Sequence, residues 1–562
     1  MVNWKSLKLR DALVFINLLL LLILGNVLSQ FFFLRIDLTE EKRYSLKNTT
    51  KAYLQELQEP VFIEVYLTGE LNPAFTRLKK SIEEIGEEFR LASNNKISIN
   101  FTDPSQAIGE KARNEFMTDL AARGVQPRNI IETINGKRQE KIVFPGAIVS
   151  ASGLETGVNF LKGNAAAGSE EVINQSIEGL EYELLSAIQQ LTNVNRSVVG
   201  IVSHSVAYDS MEIYSFTKEL SQRFDLTRVD FNQPLNPKIV QVAAIIKPNQ
   251  PFTEIQKFYL DQYIMQGGNV LFLMDKLDAN MDSTSLENYF AFPVNTNLDD
   301  QLFRYGLRIN QDLVYDKVAA LYPVVTGMNN NQPQMQLLDW PFFPLINQYA
   351  NHEVTKNLDA VVLKFANSID TVKAAGVKKI PLLYSSIFSK NYQAPVKVSV
   401  NDIRKDKEIP QREVPFTLGY MLEGNFTSLF KNRFLPEGIT TKNVITESRL
   451  ARLVVIADGD IALNVVNPRT QQPQQMGFDP YSNYTFANKD LLMNVMSWLT
   501  KQESMLIARN KEVKIRPLNK NKINDEKQFW QFVNIAIPIA IVLVFAILIF
   551  WLRKKRFANF HV

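Results

Sequence analysis

The hydrophobic pattern divides the chain into two long apolar runs with a patterned body between them. The runs extend from Ala12 to Leu34 and from Gln528 to Leu552, 23 and 25 residues without a charged side chain. A helix rises about 1.5 Å per residue, so each run is long enough to cross a hydrocarbon layer of roughly 30 Å. The pattern therefore predicts two transmembrane helices, at residues 12–34 and 528–552, with both termini on the same side.

Basic side chains close to the two runs indicate which side that is. The short tails 1–11 and 553–562 are basic, whereas the segments on the body side of each run mix basic with acidic residues. A short basic tail before an apolar run is typical of an uncleaved signal anchor, which keeps its tail in the cytoplasm and exports the body. Val27 and Ser29 loosely imitate a signal-peptide cleavage site, but the run continues past them to Leu34. We therefore expect cytoplasmic tails and an exported body.

Residues 49–193, after a charged juxtamembrane segment at 35–48, alternate strand and helix patterns in the order βαβαββα. That order is typical of a thioredoxin-like unit. The chain contains no cysteine, so a Cys-x-x-Cys pair is absent and the unit is expected to bind or to act as a scaffold. The predicted elements are strand 61–67, helix 73–91, strand 96–101, helix 107–123, a hairpin over 130–149 turning on Asn135-Gly136, and helix 170–191.

Residues 197–500 show a second alternation, which predicts a doubly wound α/β sheet of flavodoxin-like or amidotransferase-like type. Residues from about 280 to 445 are less regular and are predicted to form an insertion, and 501–527 a charged stalk. The predicted strands are 198–203, 226–231, 242–247, 269–275 and 453–457, and the predicted helices are 211–224, 253–266 and 490–500.

Composition excludes several classes of function. The formal net charge is +4 over 562 residues, and no Lys/Arg stripe is interleaved with aromatic residues, so nucleic acid is not an expected partner. The absence of cysteine removes disulfides, thiol nucleophiles and thiolate metal sites. Besides His204 the histidines are His352 and His561, which are isolated, so a zinc site has too few ligands.

Ligands of open α/β sheets bind beyond the carboxyl ends of the strands, so polar residues at those positions are the candidates. They are Ser203-His204-Ser205, Asp275 with Asp278, and Asp458 with Asp460. A Ser-His-acid hydrolase lacks its Gly-x-Ser-x-Gly elbow here, and the aspartate pairs suit Mg²⁺ or Ca²⁺ less well than the capping of a following helix. We keep His204, Asp275, Asp458 and Asp460 as possible ligand or interaction positions, and predict no catalytic, metal-binding or cofactor-binding residue.

Nucleotide hydrolysis is not expected of this chain. Gly163 to Ser169 has the glycine spacing of a phosphate-binding loop but lacks its lysine, so the γ-phosphate would have no counter-charge. If ATP drives the protein, another subunit hydrolyses it.

The second apolar run carries two residues that lipid does not satisfy. Asn534 has a polar side chain, and Pro538 lacks the N–H of a helical hydrogen bond. Another helix is the natural partner for such groups, so Asn534 and Pro538 are predicted to face a partner helix.

Several long sequence blocks resemble the GldG proteins, the gliding-motility-associated ABC transporter auxiliary family of the Bacteroidetes. The resemblance covers nearly the whole chain, including both apolar runs. The blocks are 35–46, Ile245-Ile-Lys-Pro248 with Pro251-Phe-Thr-Glu254, 260–268, 297–310, His352 to Asp359, 452–460 and Asn488-Lys-Asp-Leu-Leu491. One departure is Ser205, because related auxiliary domains often carry His-Gly where this chain has His204-Ser205.

The resemblance implies a bacterial inner-membrane protein with a periplasmic body. It also implies an ABC permease and a cytoplasmic ATPase as partners, gliding motility as the process, and a bacterium that uses type IX secretion. It carries over no functional residue. Three functions stay open at this point: a non-enzymatic subunit of an ABC-type complex, a receptor for a glycan or peptide, and a membrane-tethered hydrolase of amidotransferase-like ancestry.

Overall fold

The computed structural model describes most of the chain as two compact units, Met1–Glu512 and Val513–Val562. The described residues are 13–24, 45–69, 71–106, 109–134, 137–161, 169–193, 196–203, 206–281, 283–284, 289–329, 332–356, 358–399, 409–439, 444–502 and 526–557. The helices are α1 (Leu13–Leu24), α2 (Asn48–Gln55), α3 (Pro73–Ala92), α4 (Glu110–Ala122), α5 (Ser169–Thr192), α6 (Tyr214–Ser221), α7 (Glu254–Met265), α8 (Asp299–Tyr305), α9 (Asn488–Leu499) and α10 (Lys527–Phe557).

A four-stranded sheet organises the first part of the body. Its strands are β1 (Val61–Val65), β2 (Ile97–Phe101), β5 (Gly146–Ala151) and β6 (Leu154–Asn159), while β3 (Arg128–Ile134) and β4 (Lys137–Val143) form a separate two-stranded sheet. The order is β2-β1-β5-β6, with β1 parallel to β2 and antiparallel to β5. Alternate residues of β1 are buried, so one face of the sheet packs against α3 and α5.

The hairpin predicted to turn on Asn135-Gly136 is present, but it forms a two-stranded sheet of its own. Residues 128–143 do form a hairpin, whose turn at Asn135-Gly136 lies outside the described residues, but the strands that join the sheet are β5 and β6. A Cβ atom on Gly146 would lie 2.4 Å from the carbonyl oxygen of Val158. Close backbone approach at Gly146, together with pairing to β1, therefore selects the second hairpin, and neither is visible in residue alternation.

An eight-stranded mixed sheet forms the centre of the second part, in the order β17-β20-β23-β24-β10-β9-β7-β8. Strands β8, β7, β9, β10 and β24 are parallel, and β23, β20 and β17 continue the sheet antiparallel. The strands after β6 are β7 (Val198–Val202), β8 (Asp225–Val229), β9 (Val242–Ile246), β10 (Asn269–Leu273), β11 (Leu277–Asp278), β12 (Phe290–Pro293), β13 (Leu307–Ile309), β14 (Asp312–Asp316), β15 (Ala319–Asn329), β16 (Gln332–Ile346), β17 (Gln348–Tyr349), β18 (Val361–Val362), β19 (Ile369–Thr371), β20 (Val377–Tyr384), β21 (Ser389–Gln393), β22 (Val396–Lys397), β23 (Thr417–Gly424), β24 (Ala451–Ile456), β25 (Phe478–Asp479) and β26 (Tyr484–Thr485).

All five strands predicted for this sheet are present, and they are its parallel half. The predicted insertion at about 280–445 is only partly separate, because β20 and β23 belong to the central sheet. The strands they pair with are distant in sequence, so a local sequence pattern cannot predict the pairing. The rest of that region forms small sheets around an aromatic core that includes Trp340, Phe342 and Phe343.

Helices cover both faces of the central sheet. α6 and α9 pack on one face, and α7 and α8 on the other. α7 begins with a capping box, in which Thr253 and Gln256 bond each other's backbone N–H, and Gly267 after it has φ +96°. α6 is shorter than the predicted helix 211–224, because the Asp209 carboxylate accepts the N–H groups of Met211 and Glu212 in a turn.

Of the two predicted membrane spans, the described residues contain one helix, Lys527–Lys555 within α10, that is long and apolar enough to cross a membrane by length and composition. The described part of the first apolar run is α1, which is shorter, and the remainder of 12–34 lies outside the described residues.

Candidate functional site at the carboxyl edge of the central sheet

Three of the predicted positions come together where parallel strands of the central sheet end. Strands β9, β10 and β24 are neighbours, and their carboxyl ends lead into Lys247, Asp275 and the turn Asp458-Gly459-Asp460. Carboxylate oxygens of Asp275, Asp458 and Asp460 lie within 4.8 Å of one another. We call these three carboxylates and the Lys247 ammonium the carboxyl-edge cluster.

The Lys247 side chain holds the cluster together. Its Nζ lies 2.5 Å from Oδ1 of Asp460 and 3.5 Å from Oδ2 of Asp275. Lys247 has φ +44°, a backbone conformation that non-glycine residues rarely adopt. Gly459 fits closely beside it, since a Cβ atom there would lie 2.7 Å from Cγ of Lys247.

Backbone groups satisfy the carboxylates on their other sides. The Gly459 N–H donates to Oδ1 of Asp275 at 2.6 Å. Asp458 is fully buried and accepts two bonds of 2.7 Å, from the N–H of Asp460 and from the N–H of Lys364. Asp275 thus binds the β24 turn and caps no helix, contrary to the capping interpretation.

Burial dominates the electrostatics of the cluster. It raises the pKa of Asp275 to about 6, although Lys247 opposes the shift. Burial and the charges of Asp460 and Asp275 raise the pKa of Asp458 well above its usual range. Burial alone would lower the pKa of Lys247, but Asp460 and Asp275 hold it above its ordinary value. The cluster therefore has one lysine against three carboxyl groups, two of which, Asp275 and Asp458, hold their protons more firmly than a free carboxyl does.

The insertion covers this edge of the sheet. The Asn367 N–H donates to the carbonyl of Ala457, and the Asn367 side chain accepts the N–H of Lys276 at 2.8 Å. With the bond from Lys364 to Asp458, these contacts lay residues 364–367 across the ends of β10 and β24. The position at which ligands of open α/β sheets usually bind is occupied here by the chain itself.

The neighbouring crevice between β7 and β9 is bridged as well. Val206 pairs with Pro248, and the Ala207 N–H donates to the carbonyl of Lys247 at 3.0 Å. His204 and Ser205 lie outside the described residues, so the structure does not test the position of the His204 side chain.

The other polar residues considered from the sequence stand apart from the cluster. Asp278 is exposed, and its carbonyl accepts the hydroxyl of Tyr289. His352 is partly buried, accepts the N–H of Val354 and packs edge-on against Trp498, so its contacts are structural. His561 and residues 163–168 lie outside the described residues.

A divalent cation at the cluster would have to displace the Lys247 ammonium. The three aspartates are oxygen ligands of the kind that Mg²⁺ and Ca²⁺ prefer, yet Lys247 already lies between two of them. Sequence reasoning missed Lys247. Its signal was available, because Lys247 is the last residue of the predicted strand 242–247, as Asp275 is of the predicted strand 269–275.

Comparison with known proteins places this architecture in a family. Residues 196–495, more than half of the chain, match the family described as an ABC-type uncharacterized transport system. The chain belongs to this family. The family is an auxiliary family of ABC transport systems, which confirms the broader part of the resemblance, while membership of the GldG proteins stays a prediction. Residues 40–150 match a domain of unknown function (DUF7088).

One similar protein aligns with this chain over nearly the whole length of both. It is an uncharacterized protein of Borreliella burgdorferi, 22% identical over 541 residues, with 93% of this chain and 94% of the relative covered. Among solved structures, the mmIFT52 N-terminal domain aligns with 54% of this chain and 97% of its own, at 13% identity and a TM-score of 0.29. That score is too low to support an argument about the fold.

Proposed function

We propose that this member of the ABC transporter auxiliary family is a membrane-anchored, non-enzymatic subunit of an ABC-type complex that serves gliding motility. Its partners are an ABC permease and, through it, a cytoplasmic ATPase. Family membership over residues 196–495 carries the proposal, and the resemblance to the GldG proteins adds the gliding role. The covered carboxyl edge of the central sheet supports the absence of catalysis.

In this proposal the body lies in the periplasm of a bacterium, between two spans of the inner membrane, with both termini in the cytoplasm. The apolar helix α10 supports the second span. Residues 49–193 act as a thioredoxin-like binding or scaffolding unit, which the sheet order β2-β1-β5-β6 and its parallel β1-β2 pair support.

Co-purification from native membranes tests the proposal. The tagged full-length chain, extracted in mild detergent, is expected to bring down a permease and an ATPase, whereas an unrelated tagged single-span protein is not. Recovery of the chain without either subunit, from cells that express both, would contradict the proposal.

A turnover assay tests the non-enzymatic part separately. The purified chain is expected to hydrolyse neither ATP nor simple ester or amide substrates, since Asp458 is buried and the cluster is internally paired. Turnover that disappears in Asp458→Ala or His204→Ala would show that one of these residues is catalytic.

A further inference from the structure

A broad groove lies on the second part of the body, away from the carboxyl-edge cluster. Its volume is 1030 Å³, and α8, β13, β19, β21 and the segment entering β23 form its walls. None of the four cluster residues lines it. Pockets for small ligands usually measure about 300–1000 Å³, so this groove is large enough for several linked rings.

The acidic side chains of the groove are already paired with bases. Asp370 and Arg308 are 2.7 Å apart, and Nδ2 of Asn310 donates to the same Asp370 oxygen. Asp299 and Asp300 each form an ion pair with a buried lysine. Nζ of Lys276 lies 2.6 Å from Oδ1 of Asp299, and Nζ of Lys257 lies 2.8 Å from Oδ2 of Asp300. These carboxylates therefore offer little attraction to a cationic ligand.

Arg412 is the exception to this balance. The centre of its guanidinium lies 3.8 Å from the centroid of the Phe416 ring, and its Nε donates to the carbonyl of Val414. Within the described part of the chain it has no acidic partner, and its two terminal nitrogens make no hydrogen bond. Stacking holds the guanidinium flat, which leaves a two-pronged donor edge suited to a carboxylate.

Side-chain amides supply the neutral polar groups. Gln311 and Gln393 line the groove, and neither side chain makes a hydrogen bond to another described residue. Asn391, beside them, is oriented by a 2.7 Å bond to Asp312. An amide both donates and accepts, so a row of amides matches a ligand rich in hydroxyl groups.

A smaller aromatic cavity adjoins the groove and shares Gln393 with it. Its volume is 170 Å³, and Tyr315, Trp340, Phe342 and Tyr392 form its walls. A cavity of about 150 Å³ holds a benzene molecule, so this one has room for a single ring. Aromatic faces with a few polar groups at the edge suit the flat, partly apolar face of a sugar ring.

We propose that the groove binds an acidic oligosaccharide, a chain of pyranose rings that carry carboxylates. Arg412 pairs with a ring carboxylate, Gln311 and Gln393 bond ring hydroxyls, and the aromatic cavity receives one ring. The row of amides and the single-ring aromatic cavity favour a sugar chain over a peptide. The site lies in the body and does not depend on the proposed permease contact.

Calorimetric titration of the full-length chain in detergent micelles with oligogalacturonate tests the site. Saturable binding is expected, and Arg412→Gln is expected to weaken it about tenfold or more, because a charged hydrogen-bond pair is lost. Gln393→Ala is expected to weaken it severalfold. Arg469→Gln, at an exposed arginine that does not line the groove, is the matched control and should bind as the unmodified chain does.

Unfolding midpoints of the variants establish that each is folded; Arg412 is exposed, so its loss is expected to leave the midpoint unchanged. Absence of saturable binding to the unmodified chain overturns the proposal, and so does equal binding by Arg412→Gln. A neutral glucan of the same length that binds as tightly overturns the role of charge. Polyglutamate that binds more tightly than oligogalacturonate overturns the sugar assignment.

Discussion

Among the described residues, Lys247 is the one basic side chain between the aspartates of the carboxyl-edge cluster. Its ammonium group balances part of their negative charge. In Lys247→Met, Asp275 and Asp460 lose their partly buried counter-charge. Breaking a buried ion pair on one side costs about 3–5 kcal/mol, so a fall of that order in the free energy of unfolding is expected.

Urea unfolding of both proteins measures this effect, and Asp278→Asn at an exposed aspartate serves as the control. Ca²⁺ or Mg²⁺ is expected to raise the midpoint of Lys247→Met, whose three carboxylates can then surround a cation, and to leave the unmodified chain unchanged. An equal rise in both proteins would show that Lys247 does not exclude the cation.

Asp275 gives a prediction about pH. Its pKa is about 6 in the folded chain against an ordinary 3.8, so the folded state holds the proton more firmly. The stability this carboxyl contributes is therefore fully present below its unfolded pKa and is lost as the pH rises through about 6. Asn cannot titrate, so Asp275→Asn gains about 1–3 kcal/mol relative to the unmodified chain between about pH 4 and pH 7.

The measurement is the difference in unfolding free energy between the two proteins across that pH range. Asp458 feels the charge of Asp275, so the difference reports the coupled pair of carboxyls and not Asp275 alone. A difference that stays constant with pH would mean that the Asp275 carboxyl ionises in the fold as readily as in the unfolded chain.

At the scale of elements, α10 is an apolar helix long enough to cross a membrane, and it contains polar groups without hydrogen-bond partners among the described residues. Pro538 has no N–H, so the carbonyl of Asn534, four residues earlier, loses its helical partner. The Asn534 side chain is exposed on the same helix, and among the described residues it has no hydrogen-bond partner. Lipid satisfies neither group, which is why the helix is expected to contact another membrane helix.

Exchange of residues 529–552 for an unrelated span of equal length tests this contact. Insertion and folding of the body are expected to persist, while co-purification with the permease and gliding are expected to fall. The double substitution Asn534→Leu with Pro538→Leu is the narrower variant and should reproduce part of the loss. Normal gliding and normal co-purification of the exchanged protein would place the contact in the body instead.

For the whole molecule, the side of the membrane on which the body lies can be measured directly, because the chain has no cysteine and an introduced thiol is the only one. Ser221 is exposed on the body, at the end of α6, and Asn559 is in the basic tail. Ser221→Cys is expected to react with an impermeant maleimide from the periplasmic side, and Asn559→Cys only after the membrane is opened. The reverse labelling would contradict an exported body.

Local pattern was sufficient for much of this architecture. The five parallel strands of the central sheet and the helices α7 and α9 follow from hydrophobic runs, capping residues and glycines, all of which act within a few residues. The aspartates at the ends of β10 and β24 could be placed at one edge, since parallel neighbours end together. The apolar character of α10 is likewise a property of composition alone.

Tertiary structure decided what depends on residues far apart in the chain. The pairing of β20 and β23 with β24, and of β5 with β1, joins segments whose own patterns are compatible with other partners. The aspartates follow the same rule. The sequence places them at an edge where ligands usually bind, but in the structure Lys247 and the backbone of residues 364–367 cover them. Burial and charge compensation are set by these long-range contacts, and no local pattern encodes them.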